Sequence, residues 1–167
     1  MSKEAEKVLL LHNIRSSENV GALFRTADAI GIDAVYLIGY TPAPIDRFGR
    51  KEPKIAKAAL GSEKSLVWEQ RENIFELIKM LKEKGFEIVA LEQDKHAIDY
   101  KKYIPGKKLA LIVGNEVVGI EEEVLNLCDH ILEIPMRGEK ESLNVSVATG
   151  IALFRILDHP NYFNRSK

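Results

Sequence analysis

Three separated segments of this chain set polar side chains beside glycine or other small residues, where an ordinary core would be apolar. They are residues 19–25 (NVGALFR), 114–119 (GNEVVG) and 142–148 (SLNVSVA). Asparagine, arginine, glutamate and serine orient hydrogen bonds, clamp anions and handle protons, while glycine lets backbone approach a ligand or turn sharply. The last two segments each open a predicted helix directly after a predicted strand, where α/β proteins bring ligands close to the chain. Together they point to one composite site.

Each residue has an ordinary reading beside its chemical one. Arg25 sits on a predicted helix otherwise lined by Val20, Leu23, Phe24, Ala27 and Ile30, so it is either a surface partner of Asp28 or a bidentate phosphate clamp. Asn19 either caps that helix or holds a ligand or the Arg25 guanidinium in place. Glu116 can cap the next helix, face solvent, or orient loop amides or a partner's groups. Ser142 suits the N-cap of the last helix, which makes Asn144, a poor helix former in the first turn, the more suggestive of the two. Gly114 leaves room for a cofactor against the backbone, and Gly119 lets the chain turn. Ala148 and Ala152 share a helical face suited to close packing in the core or against a partner helix.

The elements that must position these residues alternate. Apolar runs predict strands at residues 8–11, 34–38, 86–91, 108–113 and 130–134, and helices at 19–30, 120–127 and 143–157. Residues 72–84 form the clearest amphipathic helix, with Ile74, Leu77, Ile78 and Leu81 on one face and Gly85 ending it. Residues 39–53, with three prolines and two glycines, read as a loop, followed by a short helix at 54–60 stopped by Gly61. Alternation of this kind argues for an α/β fold with a parallel sheet covered by helices on both faces. Glu116 stands where a dinucleotide fingerprint needs its second glycine, which weakens a Rossmann-type nucleotide-binding reading.

At 167 residues and 46% hydrophobic content, the chain is the size of one domain, residues 1–167. The single cysteine, Cys128, allows no intrachain disulfide, and the four histidines lack metal-ligand spacing, which argues against a metal. The charged start lacks the apolar core of a secretory signal, and no stretch approaches the roughly 20 apolar residues of a membrane span. A cytoplasmic protein without membrane contact is the expectation. The net charge of −1 argues against indiscriminate coating of nucleic acid but leaves room for local basic patches. One is Arg47, Arg50, Lys51, Lys54 and Lys57, with Phe48 interleaved; another is Lys101, Lys102, Lys107 and Lys108.

In order and position, the three segments resemble the signature motifs of the SpoU family of RNA 2′-O-ribose methyltransferases, within the SPOUT superfamily. The resemblance extends from Asn13 to Leu157. It implies a homodimeric α/β domain with a C-terminal trefoil knot, one of the rare exceptions to unknotted chains. It also implies S-adenosylmethionine as cofactor, RNA (tRNA or rRNA) as substrate, and a cofactor site lined by the loop after Leu91, by Gly114, by Ile134 and Met136, and by Ser142 and Leu143. Arg25, Asn19, Glu116, Ser142 and Asn144 carry over as the catalytic set. Relatives carry added RNA-binding domains or basic extensions, whereas about seven residues precede the first strand here; recognition then falls to this domain, its dimer or a partner.

The family resemblance brings a general-base role for Arg25, but deprotonating a guanidinium at pH 7 costs about 7 kcal/mol or more. A bound phosphate raises that cost. A phosphate clamp that orients the ribose is the better reading of Arg25. Two other classes remain in view: a catalytically silent dimeric RNA-binding module of the same fold, and the Rossmann-like enzyme disfavoured above.

Overall fold

The computed structural model of the protein describes residues 5–162. Residues 1–4, the first part of the charged start, and residues 163–167 lie outside the described residues.

The chain runs through β1 (Glu6–His12), α1 (Ser17–Ile30), β2 (Ala34–Ile38), α2 (Pro53–Ala59), α3 (Ser62–Ser65), β3 (Val67–Arg71) and α4 (Ile74–Glu83). It continues through β4 (Glu87–Leu91), β5 (Ile98–Asp99), β6 (Lys108–Val113), α5 (Glu122–Leu125), β7 (His130–Glu133) and α6 (Val145–Leu157). The strands form one sheet in the order β3-β2-β1-β6-β4-β7-β5, with every pairing parallel.

Parallel strands need helical crossovers, which cover both faces of the sheet and explain why β1 and β6 are apolar runs without alternation. Leu9 and Leu11 of β1 point into a core shared with Val20, Leu23 and Phe24 of α1 and with Leu153 and Ile156 of α6. Val8 and Leu10 point to the opposite face, against Ile74, Leu77, Ile78 and Leu81 of α4. The predicted apolar stripe of residues 72–84 is therefore the buried face of α4, whose first turn is capped by the Asn73 side chain. Among the described residues no helix is long and apolar enough to cross a membrane.

Several boundaries differ from the sequence reading for local reasons. The Ser16 side chain, accepting the Asn19 N–H, caps α1, so Asn19 lies inside the first turn instead of before the helix. Likewise Asn144, not Ser142, caps α6, its Oδ1 accepting the N–H groups of Ser146 and Val147. α2 stops on Leu60, itself left-handed at φ 51°, with Gly61 following as the N-cap of α3. β3 and β5 had no counterpart in the sequence reading: the first is a mostly exposed edge strand, the second is two residues long. The predicted helix at 120–127 shrinks to the single turn of α5.

Gly21, the glycine of the first motif, serves the contact between α1 and α2. A β-carbon there would lie 2.6 Å from the Ile55 carbonyl oxygen and 2.7 Å from Ala58 Cβ. The helix propensity gained by alanine, about 1 kcal/mol, is outweighed by overpacking of about 1–3 kcal/mol against a backbone that cannot yield. Gly21→Ala is expected to lower the thermal midpoint, whereas Gly138→Ala, with nothing within 4 Å of its added carbon, leaves it near wild type. Thermal melts followed by circular dichroism check the pair; a stabilised Gly21→Ala contradicts the packing assignment.

Candidate active site

The loops that leave β1, β4, β6 and β7 emerge at one edge of the sheet, because all four strands point the same way. The start of α6 closes over them. Between these segments lies a pocket of about 460 Å³, within the range of small-molecule sites. Leu91, Gly114, Ile134, Met136 and Leu143 all line it, together with Asn19, Glu116, Ser142 and Asn144. Arg25 alone of the expected site residues does not.

Glu116 joins the loops. Its carboxylate accepts the backbone N–H of Arg15 at 2.9 Å, that of Ser16 at 3.1 Å and the Asn19 amide at 2.9 Å. The first two donors lead into the N-terminus of α1, where the helix dipole favours negative charge. Partial burial pushes the carboxyl's pKa up, but the donors at Arg15, Asn19 and Ser16 outweigh it and hold the pKa below the ordinary 4.5. With three donors on its two oxygens, Glu116 positions the loop between β1 and α1.

The chain of contacts continues from Asn19, whose Oδ1 accepts the Asn144 amide at 3.1 Å. Asn144 Oδ1 in turn accepts the Ser146 hydroxyl at 2.6 Å and the first amides of α6. Glu116, Asn19 and Asn144 thus connect the Gly114 loop, α1 and the last helix by side-chain hydrogen bonds. Ser142 is exposed at the pocket edge.

Arg25 is elsewhere. Six residues separate it from Asn19, which on a helix is about 9 Å along and roughly 120° around the axis. It is exposed, and among the described residues it forms no ion pair with Asp28, whose carboxylate accepts the Ser65 hydroxyl at 3.0 Å. The surface-pair reading is thereby corrected.

The glycines also take different parts. A β-carbon on Gly114 would meet Ile120 Cγ1 at 2.5 Å and the Gly119 backbone at 2.9 Å, so this glycine is demanded by the loop's own closure. Gly119 turns at φ 72°, where side chains are disfavoured. Ala152 is buried in the core, and Ala148, four residues earlier, lines the pocket.

Sequence reasoning left three contributors without a role. Asn115, buried, donates to the Asn13 carbonyl and the Tyr40 hydroxyl and accepts the N–H groups of Val117 and Val118. Glu92 accepts the N–H groups of Gln93 and Ile120, and Gln93 donates to the Ile134 carbonyl, tying the β4 and β7 loops. The signal for Asn115 was present, an amide side chain between Gly114 and Glu116.

The lining has a sign. It includes the carboxylates of Glu92, Glu116 and Glu133 and, among the described residues, no lysine or arginine. Such a pocket favours a cationic ligand and opposes a pyrophosphate.

A family model described as the SpoU rRNA methylase family matches residues 6–154. The chain belongs to this family. It is 32% identical over 152 residues to a tRNA (guanosine(18)-2′-O)-methyltransferase of Aquifex aeolicus, covering 91% of this chain and 69% of the relative. It is 35% identical over 147 residues to a 23S rRNA (guanosine-2′-O-)-methyltransferase of Salmonella typhi, covering 88% of this chain and 58% of the relative. The crystal structure of an S-adenosylmethionine-bound rRNA methyltransferase from Sinorhizobium meliloti superposes with a TM-score of 0.85 at 29% identity, over 95% of this chain and 58% of that one. The chain thus spans between 58% and 69% of the length of these relatives.

The amide clamp on Glu116 makes a pH prediction. A carboxyl whose folded pKa is depressed contributes its full stability above the unfolded value, near 4.5, and loses it as pH falls through the lower folded value. The wild type is therefore expected to melt above Glu116→Gln at pH 7, with the gap closing below about pH 4.5. A gap that is constant from pH 7 to pH 3.5 contradicts an ionised clamp.

Proposed function

We propose that this SpoU protein transfers the methyl group of S-adenosylmethionine to a ribose 2′-hydroxyl in tRNA or rRNA. The observation that carries the reading is the carboxylate-lined pocket at the carboxyl edge of a parallel sheet, closed by the Glu116–Asn19–Asn144 contacts. The pocket fits the cofactor: Leu91, Ile134, Met136 and Leu143 offer apolar walls, and Glu92, Glu116 and Glu133 offset a positive charge. When bound, S-adenosylmethionine supplies an electrophilic methyl group on a sulfonium.

The protein's part is positioning. Asn19 and Asn144, whose amides donate to Glu116 and to Asn19, fix the edge of the pocket at which a ribose is to be held. Arg25 clamps a phosphate of the same RNA and stays protonated throughout, since surrendering its proton is too costly at neutral pH.

A homodimer belongs to the same proposal. Arg25 lies outside the pocket of its own chain, and Val147, Ile151 and Phe154 form an exposed apolar stripe along α6, 48%, 40% and 55% accessible. Pairing two copies through this stripe covers it and allows one chain's Arg25 to serve the other's pocket. The family-type knot and a single domain acting in the cytoplasm complete the reading, which is supported by the loops after β4, β6 and β7 sharing one pocket with the start of α6.

Incubated with tritiated S-adenosylmethionine and RNA from cells lacking the gene, the protein is expected to label tRNA or rRNA, with a 2′-O-methylnucleoside after digestion. No labelling of either fraction contradicts the activity. Arg25→Lys keeps the charge but loses the planar fork, and turnover is expected to drop about 10- to 100-fold with S-adenosylhomocysteine affinity unchanged by calorimetry. Near-normal turnover removes Arg25 from the reaction.

A further inference from the structure

The loop between β2 and α2 is built as a short hairpin with an aromatic tip. Ile45 and Lys51 pair as an antiparallel bridge, the Asp46 N–H donates to the Arg50 carbonyl at 2.9 Å, and Gly49 turns at φ 77°. Asp46 braces it from inside: one carboxylate oxygen accepts the N–H groups of Phe48 and Arg50, and the other accepts the Arg50 Nε at 2.7 Å. The hairpin is thus pre-ordered by one carboxylate that spends its bonds on the turn.

What it displays is Phe48, 67% exposed. The Arg47 guanidinium lies 4.7 Å and that of Arg50 5.1 Å from the ring centroid. Residues 46–51 carry three cations, Arg47, Arg50 and Lys51, against the single carboxylate of Asp46. Arg50 is engaged by Asp46, whereas Arg47 and Lys51 have no carboxylate partner among the described residues. Beside the hairpin is a hollow of about 370 Å³, lined by Arg47, Arg50, Lys51 and Gln70 together with the carboxylates of Asp46 and Glu52.

An exposed aromatic face flanked by guanidinium groups is what single-stranded nucleic acid binds: the ring stacks a base of any identity while the cations neutralise the backbone. A buried-interface role for Phe48 is disfavoured by the charges around it, because interface cores are depleted of them. The hairpin also lies at the correct edge. β2 is two strands from β6, about 10 Å at ordinary strand spacing, and both deliver their following loops to the same side of the sheet. RNA with a ribose at the Gly114 pocket passes the hairpin within a short run of nucleotides.

We propose that the β2–α2 hairpin is a second RNA contact, in which an unpaired base next to the methylated nucleotide stacks on Phe48 while Arg47 and Lys51 hold its phosphates and Gln70 faces the base edge. This assignment rests on the methyltransferase reading and deepens it, placing substrate recognition in this domain. Arg50 and Asp46 are positioning residues that keep the ring presented.

Binding of fluorescein-labelled bulk tRNA and bulk rRNA from cells lacking the gene tests it, as a function of salt, alongside methylation of the same RNA. Phe48→Ala is expected to weaken binding of the methylated RNA class about 5- to 100-fold with an unchanged slope of log affinity against log salt, and Phe48→Trp to restore it. Arg47→Gln and Lys51→Gln are each expected to reduce that slope by roughly one. S-adenosylhomocysteine calorimetry and thermal melts should match wild type for all four variants, since the hairpin lies outside the pocket lining. If the wild type methylates RNA and Phe48→Ala binds it equally well, the hairpin assignment is overturned and the activity stands. A wild type that binds and methylates neither fraction overturns both.

Discussion

The site depends on one carboxylate meeting three donors. Glu116 stands at the tip of a loop closed by Gly114 and Gly119, and it accepts two backbone amides that precede α1 and the amide of a residue within α1. Without it, those amides and Asn19 would face a pocket edge with no fixed acceptor, and the loop after β1 would lose its register with the loop after β6. Asn19 then passes the constraint to Asn144 at the head of α6. Three segments far apart in sequence are fixed by a short run of polar contacts, strong because one member is charged and lies at a helix N-terminus.

That run of contacts is possible because the sheet is entirely parallel. Parallel strands deliver all their following loops to one edge, and the crossover helices cover both faces, so ligand chemistry is confined to the rim. The rim divides by charge. Toward β6, β4 and β7 it is carboxylate-rich and suits a sulfonium; toward β2 it carries Arg47, Arg50 and Lys51 beside Asp46 and Glu52. An overall charge of −1 conceals this separation.

Much of the fold was legible because burial writes itself plainly into apolar runs. The strands at 34–38 and 108–113 coincide with β2 and β6, and the stripe of Ile74, Leu77, Ile78 and Leu81 is the buried face of α4. β3 escaped notice because an edge strand needs little apolar content, as Val67–Arg71 shows with exposed Glu69 and Gln70. Helix starts were displaced by two or three residues where cap-capable side chains crowd together, Ser16 and Ser17 before Asn19 and Ser142 before Asn144. Of the site, the pocket residues converge as the motifs suggested, but a motif groups residues by sequence and a helix separates them by angle. Asn19 and Arg25 share one motif and different faces of α1. The function of Gly114 was likewise invisible, since the atom that excludes a side chain there belongs to Ile120, six residues on.

The most direct test of the Glu116 constraint is a double-mutant cycle on S-adenosylhomocysteine binding, measured by calorimetry for wild type, Asn19→Ala, Glu116→Gln and the double variant. If one connected clamp shapes the pocket, each single change loses affinity and the double change loses little more, leaving a coupling energy of at least about 0.5 kcal/mol. Losses that simply add would mean that the two residues act separately, and the account of the site as a single hydrogen-bonded unit would be wrong.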